Sequence, residues 1–255
     1  MNLINLLSAF VYKEVKTFYH FKFHNVANLL FTFIQLLVFF YLSQLISADY
    51  FTFLFCGLLF SRIFHQTVLS YVETLKQEQY HQTIYHLFLI PEHELTIFTI
   101  AVVSKFLVFY VEIIFFILIA IILGLKVSML QTSVMILWTF LVLMCTLWFA
   151  ILMTALSIII KKSEVLASFL CSLIDILSGV YFPVDLLPQV LQKISYFLPT
   201  TYLISFLRNI VKYNKFDFIK LIYPTITAIL FLVISVMCFN YLLRKVLKTG
   251  KLLSY

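Results

Sequence analysis

The sequence predicts an all-α polytopic membrane protein with a single transmembrane domain, on three observations. Of 255 residues, 63% are hydrophobic and only 11% charged, with 29 Phe and a mean hydropathy of +1.06, more apolar side chain than a soluble domain of this size buries. Apolar runs long enough to cross a bilayer core, which takes about 20 helical residues, occur near 25–46, 50–72, 97–123, 133–160, 164–183 and 219–242. Lys and Arg gather between these runs and at the two ends of the chain. Lipid offers no partner to a bare peptide group, so the runs are expected to be six transmembrane helices.

The N-terminal stretch 1–24 sets Leu3, Leu6, Leu7, Phe10, Val11 and Phe18 against Lys13, Glu14, Lys16 and His20. That helical period with a basic polar face suits an interfacial helix, the alternative being a cytoplasmic extension of the first span. The first apolar run starts well inside the chain, lacks a small-residue cleavage site and exceeds a signal-peptide core, so it is expected to remain. Counting Lys and Arg beside the spans puts both termini in the cytoplasm, with Lys13, Lys16, Lys22, Lys76, Lys161, Lys162, Arg244, Lys245, Lys248 and Lys251 inside. The outside then holds Lys126, Lys193, Arg208, Lys212, Lys215 and Lys220, and the terminal clusters decide the orientation. The net charge of +7 reads as a topology and lipid-headgroup signal, without a nucleic-acid motif.

The second run carries Gly57, Ser61 and His65 four residues apart, beside Arg62 and Gln66. The fifth carries Ser168, Ser172, Asp175 and Gly179 at helical spacing. Small and polar stripes pack against protein or water and not lipid, so both helices are expected to face inward. They line a substrate path or a subunit interface, or they are ordinary packing with satisfied polar contacts. Arg62, Glu112 and Asp175 are the ionisable residues deepest in the runs, and an unpaired charge there costs at least about 2.5–3.5 kcal/mol. Arg62 is expected to pair with Glu112 or with Asp175. Cys56, Cys145, Cys171 and Cys238 fall inside apolar runs at no paired spacing, which suits four buried thiols.

Between the second and third runs, Glu73 to Phe98 is polar and too long for a tight turn, and 73–96 is expected to be a cytoplasmic region that meets water or a partner protein. The loop around Lys161, Lys162, Ser163 and Glu164 is short and polar, with Ser163 placed to cap the next helix. The stretch Ser178 to Arg208 holds Pro183, Pro188 and Pro199 after an apolar run, so it cannot lie in hydrocarbon as one straight span. Within it Leu187, Val190, Leu191, Ile194 and Phe197 make one face of a short helix and Gln189, Gln192, Lys193 and Ser195 the other. This predicts a re-entrant helical cap over 184–218 before the last span.

Two segments resemble a known family. Ser178, Gly179, Phe182, Pro183, Pro188, Pro199, Thr201, Tyr202 and Arg208 match the C-terminal signature of ABC-2 transporter permeases, the membrane subunits of one class of ATP-binding cassette exporters. Upstream, Glu78, Thr83 and Pro91, with Ile84 for the usual Leu, keep the spacing of the family's coupling region, while Gln82 and Tyr85 depart from its usual Gly and Glu. The resemblance implies the type-2 ABC exporter permease fold, with an interfacial helix, an outer cap involving Pro183, Pro188, Pro199, Tyr202 and Arg208, and a short helix seated in an ATPase cleft. It implies ATPase contacts through Glu78, Tyr80, Thr83, Ile84, Tyr85, Phe88 and Pro91, with a weaker approach at 161–164. It further implies ABC ATPase subunits and a second permease copy as partners, the same chain or a related one. The setting would be lipid of the cell membrane, in a bacterium the plasma membrane.

Chemistry of other classes lacks its motifs. The Gly residues at 57, 124, 179 and 250 do not form a phosphate loop ending in Gly-Lys-Ser/Thr, so ATP and magnesium are expected on a partner subunit and no cofactor on this chain. Glu92-His93-Glu94 lacks the paired helical histidines of a zinc protease. The leading functional expectation is therefore the non-catalytic permease of an ABC exporter, whose aromatic-rich spans suit an amphipathic or hydrophobic substrate. The alternatives are an intramembrane enzyme using Asp175, Glu112 and His65, or an ion-coupled secondary transporter using Arg62, Glu112 and Asp175.

Overall fold

The computed structural model describes residues 3–47, 50–80, 94–160 and 163–249. Among them lie nine α-helices: α1 (Leu3–His20), α2 (Lys22–Gln44), α3 (Tyr50–Tyr80), α4 (Glu94–Ile122), α5 (Met129–Ser157), α6 (Ser163–Leu177), α7 (Gln189–Phe197), α8 (Pro199–Tyr213) and α9 (Ile222–Thr249). Two short 3₁₀ turns, Val184–Leu186 and Phe218–Leu221, precede α7 and α9. The described residues contain no strand.

The chain breaks at Phe21, whose backbone leaves the helical region at φ −95°, and Asn25 Nδ2 donates to the Phe18 carbonyl across the corner at 2.6 Å. Thus α1 is a helix of its own that packs along α4, not a straight extension of the first span. Among the described residues five helices are long and apolar enough to cross a membrane: 25–44, 50–77, 99–122, 129–157 and 218–245. The fifth expected run, 164–183, behaves differently. Its helix α6 has 15 residues, about 22 Å at 1.5 Å per residue, and stops before the run does. The reason is Gly179, which takes φ +76° while its N–H bonds the Ile176 carbonyl and the Val180 N–H bonds the Asp175 carbonyl, the left-handed cap that glycine adopts without a Cβ clash.

Helix α3 is the centre of the bundle, packed on by α2, α4, α5, α6 and α8, while α9 lies along α5. Its apolar side interlocks through rings: Phe55 stacks on Phe116, Phe60 on Phe64, and Phe64 reaches Phe149. At 31 residues α3 is about 46 Å long, well beyond a core of about 30 Å, and its last turns carry the polar Glu73, Lys76, Gln77 and Gln79. The expected loop 73–96 is therefore partly helix: 73–80 continues α3 and 94–96 already belongs to α4. Helix α5 starts on a reciprocal capping box, Ser128 accepting from the Gln131 N–H and Gln131 Oε1 from the Ser128 N–H. Ser163, expected to cap α6, stands at the described start of that helix, and its buried hydroxyl makes no bond among the described residues.

The three prolines do not break helices so much as begin them. Pro183 precedes the 3₁₀ turn, Pro188 precedes α7 and Pro199 opens α8, positions where a missing N–H costs nothing and φ near −60° is already set. The two faces of helix α7 do not sort cleanly into inside and outside: Gln189 and Lys193 are exposed, while Leu187 and Leu191 are half-buried. Ser195, on the supposed polar face, is buried and bonds the Leu191 carbonyl, whereas Val190, Ile194 and Phe197 are exposed. In lipid this is a favourable arrangement: these three apolar side chains meet the surroundings, and the Ser195 carbonyl accepts from Thr201 Oγ1 at 2.6 Å inside. Gln192 likewise turns back to the Asp185 and Leu187 carbonyls.

Candidate functional site

The polar residues of α3 and α6 meet because the two helices run antiparallel, in contact along the Gly57–Ser61–His65 stripe. Asp175, the residue five before the Schellman turn closes, is 1% exposed and receives two hydrogen bonds on the same oxygen. Ser61 Oγ donates to Oδ2 at 2.5 Å, and His65 Nε2 lies 2.9 Å from it. Next to Ser61 on α3, Arg62 Nη2 meets Glu112 Oε2 of α4 at 3.0 Å, with the guanidinium set over the rings of Phe109 and Phe116. Of the two acids open to Arg62, it takes Glu112, and Asp175 belongs to Ser61 and His65 instead.

These groups surround a cavity of about 360 Å³ between α2, α3, α4 and α6. Helix α2, read from sequence as an ordinary apolar span, adds Asn28, Phe31 and Gln35, spaced to lie on one helical face. Tyr181, just past the end of α6, closes the site from the other side. Two polar atoms in it are buried without a hydrogen-bond partner among the described residues, Asp175 Oδ1 and Arg62 Nε. Ser61 and His65 both end on the carboxylate, so the hydroxyl is not held by the imidazole as a nucleophile is held by its base.

The other residues of the two stripes separate. Gly57 lies against the Val180 backbone, where a Cβ would be driven into the carbonyl group, so the glycine is what lets α3 approach the end of α6. Ser172 is exposed and bonds back to the Ser168 carbonyl, and neither serine reaches the cavity. Among the cysteines Cys56, Cys145 and Cys171 are buried while Cys238 is only half-buried, and all four are free thiols.

Beyond the cavity, the turn after α6 is fastened to α3 and α8. Arg208 Nη2 donates to the Gly179 carbonyl at 2.7 Å and to that of Val180 at 3.2 Å, and its guanidinium lies 3.4 Å from the centre of the Phe53 ring. Tyr50 donates its hydroxyl to the Tyr181 carbonyl at 2.7 Å, and Ser178 shares a hydrogen bond with Thr200. Tyr202 reaches the Tyr196 carbonyl at 3.0 Å, tying α8 to α7. Sequence reasoning had marked Arg208 and Tyr202, but Tyr50 and Phe53 carried no signal beyond being aromatic at a span end. Of the expected ATPase-facing residues, Glu78 and Tyr80 end α3, with Tyr80 exposed, and Thr83, Ile84, Tyr85, Phe88 and Pro91 lie outside the described residues.

A search of curated proteins gives no match. The family model described as ABC-2 type transporter matches residues 5–211, from α1 to the last turn of α8. A bundle of apolar helices and a match over most of its length agree: the chain belongs to the ABC-2 type transporter family, as a membrane permease component of an ABC transporter.

Proposed function

We propose that the cleft between α2, α3, α4 and α6 is part of the path by which an ABC exporter moves a substrate out of the cytoplasm. The observation that supports this is the gathering of Arg62, Glu112, Asp175 and His65 around one cavity in an apolar bundle, where each charge costs about 2.5–3.5 kcal/mol unless it is paired or wetted. Family membership carries partnership with an ABC ATPase. In this reading two permease copies, identical or related, stand side by side in the lipid of the cell membrane with both termini in the cytoplasm. ATP and magnesium are bound by the ATPase subunits and no cofactor by this chain. The substrate is amphipathic or hydrophobic, its apolar part meeting Phe31, Leu58 and Leu69.

Force enters through residues 78–91 and 161–164; the described helix ends that flank them, where α3 and α5 finish and α4 and α6 begin, lie at one end of the bundle by the alternation of the helices. Co-purification of the chain with an ATP-binding subunit, encoded beside it, tests the assignment directly. Glu78→Ala is expected to lower export about 10- to 150-fold, the effect of one charge-assisted contact of about 1.5–3 kcal/mol, and Tyr85→Arg to lower it as well, both at an unchanged amount of inserted protein. Full export and normal ATPase stimulation in both variants would remove the coupling role.

The segment from Pro183 to Tyr213 would then cover the outer end of the cavity. Cysteines placed at Asp185, Lys193 and Lys212, in a chain otherwise without cysteine, are expected to react with an impermeant thiol reagent added outside. Reaction only from the cytoplasmic side would reverse the topology.

A further inference from the structure

We infer that the cleft takes substrates carrying a protonated amine, with Asp175 as the counter-ion; this rests on reading the cleft as a substrate path. Among the described residues lining the cavity, the groups that carry or acquire charge are Arg62, Glu112, Asp175 and His65. Arg62 and Glu112 neutralise one another at 3.0 Å. Asp175 faces no Lys or Arg there, only the Ser61 hydroxyl and the His65 ring, and both of these sit on Oδ2. The cavity therefore holds one carboxylate more than its guanidinium balances whenever the imidazole is neutral.

The second observation is the unused oxygen. Asp175 is 1% exposed, and its Oδ1 is buried with no donor among the described residues. A carboxylate oxygen accepts two hydrogens, and leaving it bare inside an apolar bundle is costly, so a ligand that brings an N–H and a positive charge gains most by entering. An anion has the opposite experience. The unused donor, Arg62 Nε, belongs to a guanidinium already held by Glu112 and lying over Phe109 and Phe116, so an incoming carboxylate finds two acids and a guanidinium that is already paired. A volume of about 360 Å³ suits an ammonium head with a single-ring or short alkyl body.

The test compares two probes of matched body and opposite head, 4-phenylbutylammonium and 5-phenylpentanoate, binding to the purified full chain in neutral detergent at pH 8. The ammonium is expected to bind at least tenfold more tightly. Asp175→Asn should abolish that preference and Asp175→Glu should retain part of it. Equal binding of the two probes, tighter binding of the carboxylate, or no binding of either overturns the proposal, as does an undiminished preference in Asp175→Asn. Should Asp175→Asn fail to fold, the ratio of the two probes on the unmodified chain decides alone. No ATPase takes part in the measurement, so its failure leaves the partnership with an ATP-binding subunit standing, and failed co-purification leaves the cation preference standing.

Discussion

Replacing Glu112 by Ala is expected to destabilise the bundle by about 2.5–3.5 kcal/mol, the cost of an unpaired guanidinium among apolar helices. Among the described residues Arg62 pairs with Glu112 alone: its Nη2 is bonded to Glu112, and Asp175 is engaged by Ser61 and His65. The chain around Arg62 offers little relief either, since its neighbours over the guanidinium are the rings of Phe109 and Phe116. Removing both partners takes away the charge together with its counter-ion, so Arg62→Ala with Glu112→Ala should be milder than the sum of the single changes, with a coupling of about 1–3 kcal/mol. Thermal unfolding in detergent, followed by size-exclusion chromatography, reads the cycle, at about 2–4 °C per kcal/mol for a chain of this length. Additivity within about 0.5 kcal/mol would mean that the pair contributes nothing as a pair. The same four proteins separate folding from transport, because a double variant that is stable but no longer exports assigns the pair to the path.

Much of this site was legible in the sequence, for a physical reason. An ionisable residue inside an apolar run has few tolerable environments, so Arg62, Glu112 and Asp175 could be placed inward before any contact was known. Which acid meets which base was not legible, because Glu112 lies 50 residues from Arg62 and the choice is made by how α4 and α6 lean on α3. Helix α2 is the apolar span expected, but its cavity-facing side went unmarked because the apolar average hid Asn28 and Gln35, although their spacing with Phe31 puts all three on one face. The early end of α6 was written in Gly179 and Pro183, yet a window of hydropathy runs over both. With lipid or another apolar surface outside, Val190, Ile194 and Phe197 point out and Ser195 points in. The coupling role expected of 78–91 rests on spacing alone, because nothing in a polar stretch says which protein it touches.

The close approach of α3 to the turn after α6 carries the other large effect. At Gly57 an added Cβ would lie 2.9 Å from both the carbonyl carbon and the Cα of Val180, inside any real packing distance, and the obstacle is backbone and not a side chain that can swing away. Nor can that backbone retreat cheaply. The Val180 N–H is bonded to the Asp175 carbonyl, its own carbonyl and that of Gly179 accept from Arg208, and the next residue is held by Tyr50. Gly57→Ala is therefore expected to cost about 1–3 kcal/mol, the usual penalty for overpacking, and Gly57→Leu to prevent the α3–α6 contact altogether. Because Asp175 lies at the same junction, the displaced α6 should also separate the carboxylate from Ser61 and His65, so loss of stability and loss of these two hydrogen bonds are expected together. Arg208→Ala unfastens the turn, and in that background Gly57→Ala should cost less than it does alone, since the Val180 peptide is then able to move. The same unfolding assay checks both statements. A Gly57→Ala protein within about 0.5 kcal/mol of the parent, or strict additivity with Arg208→Ala, would show that the turn is not held against α3 in the way these contacts describe.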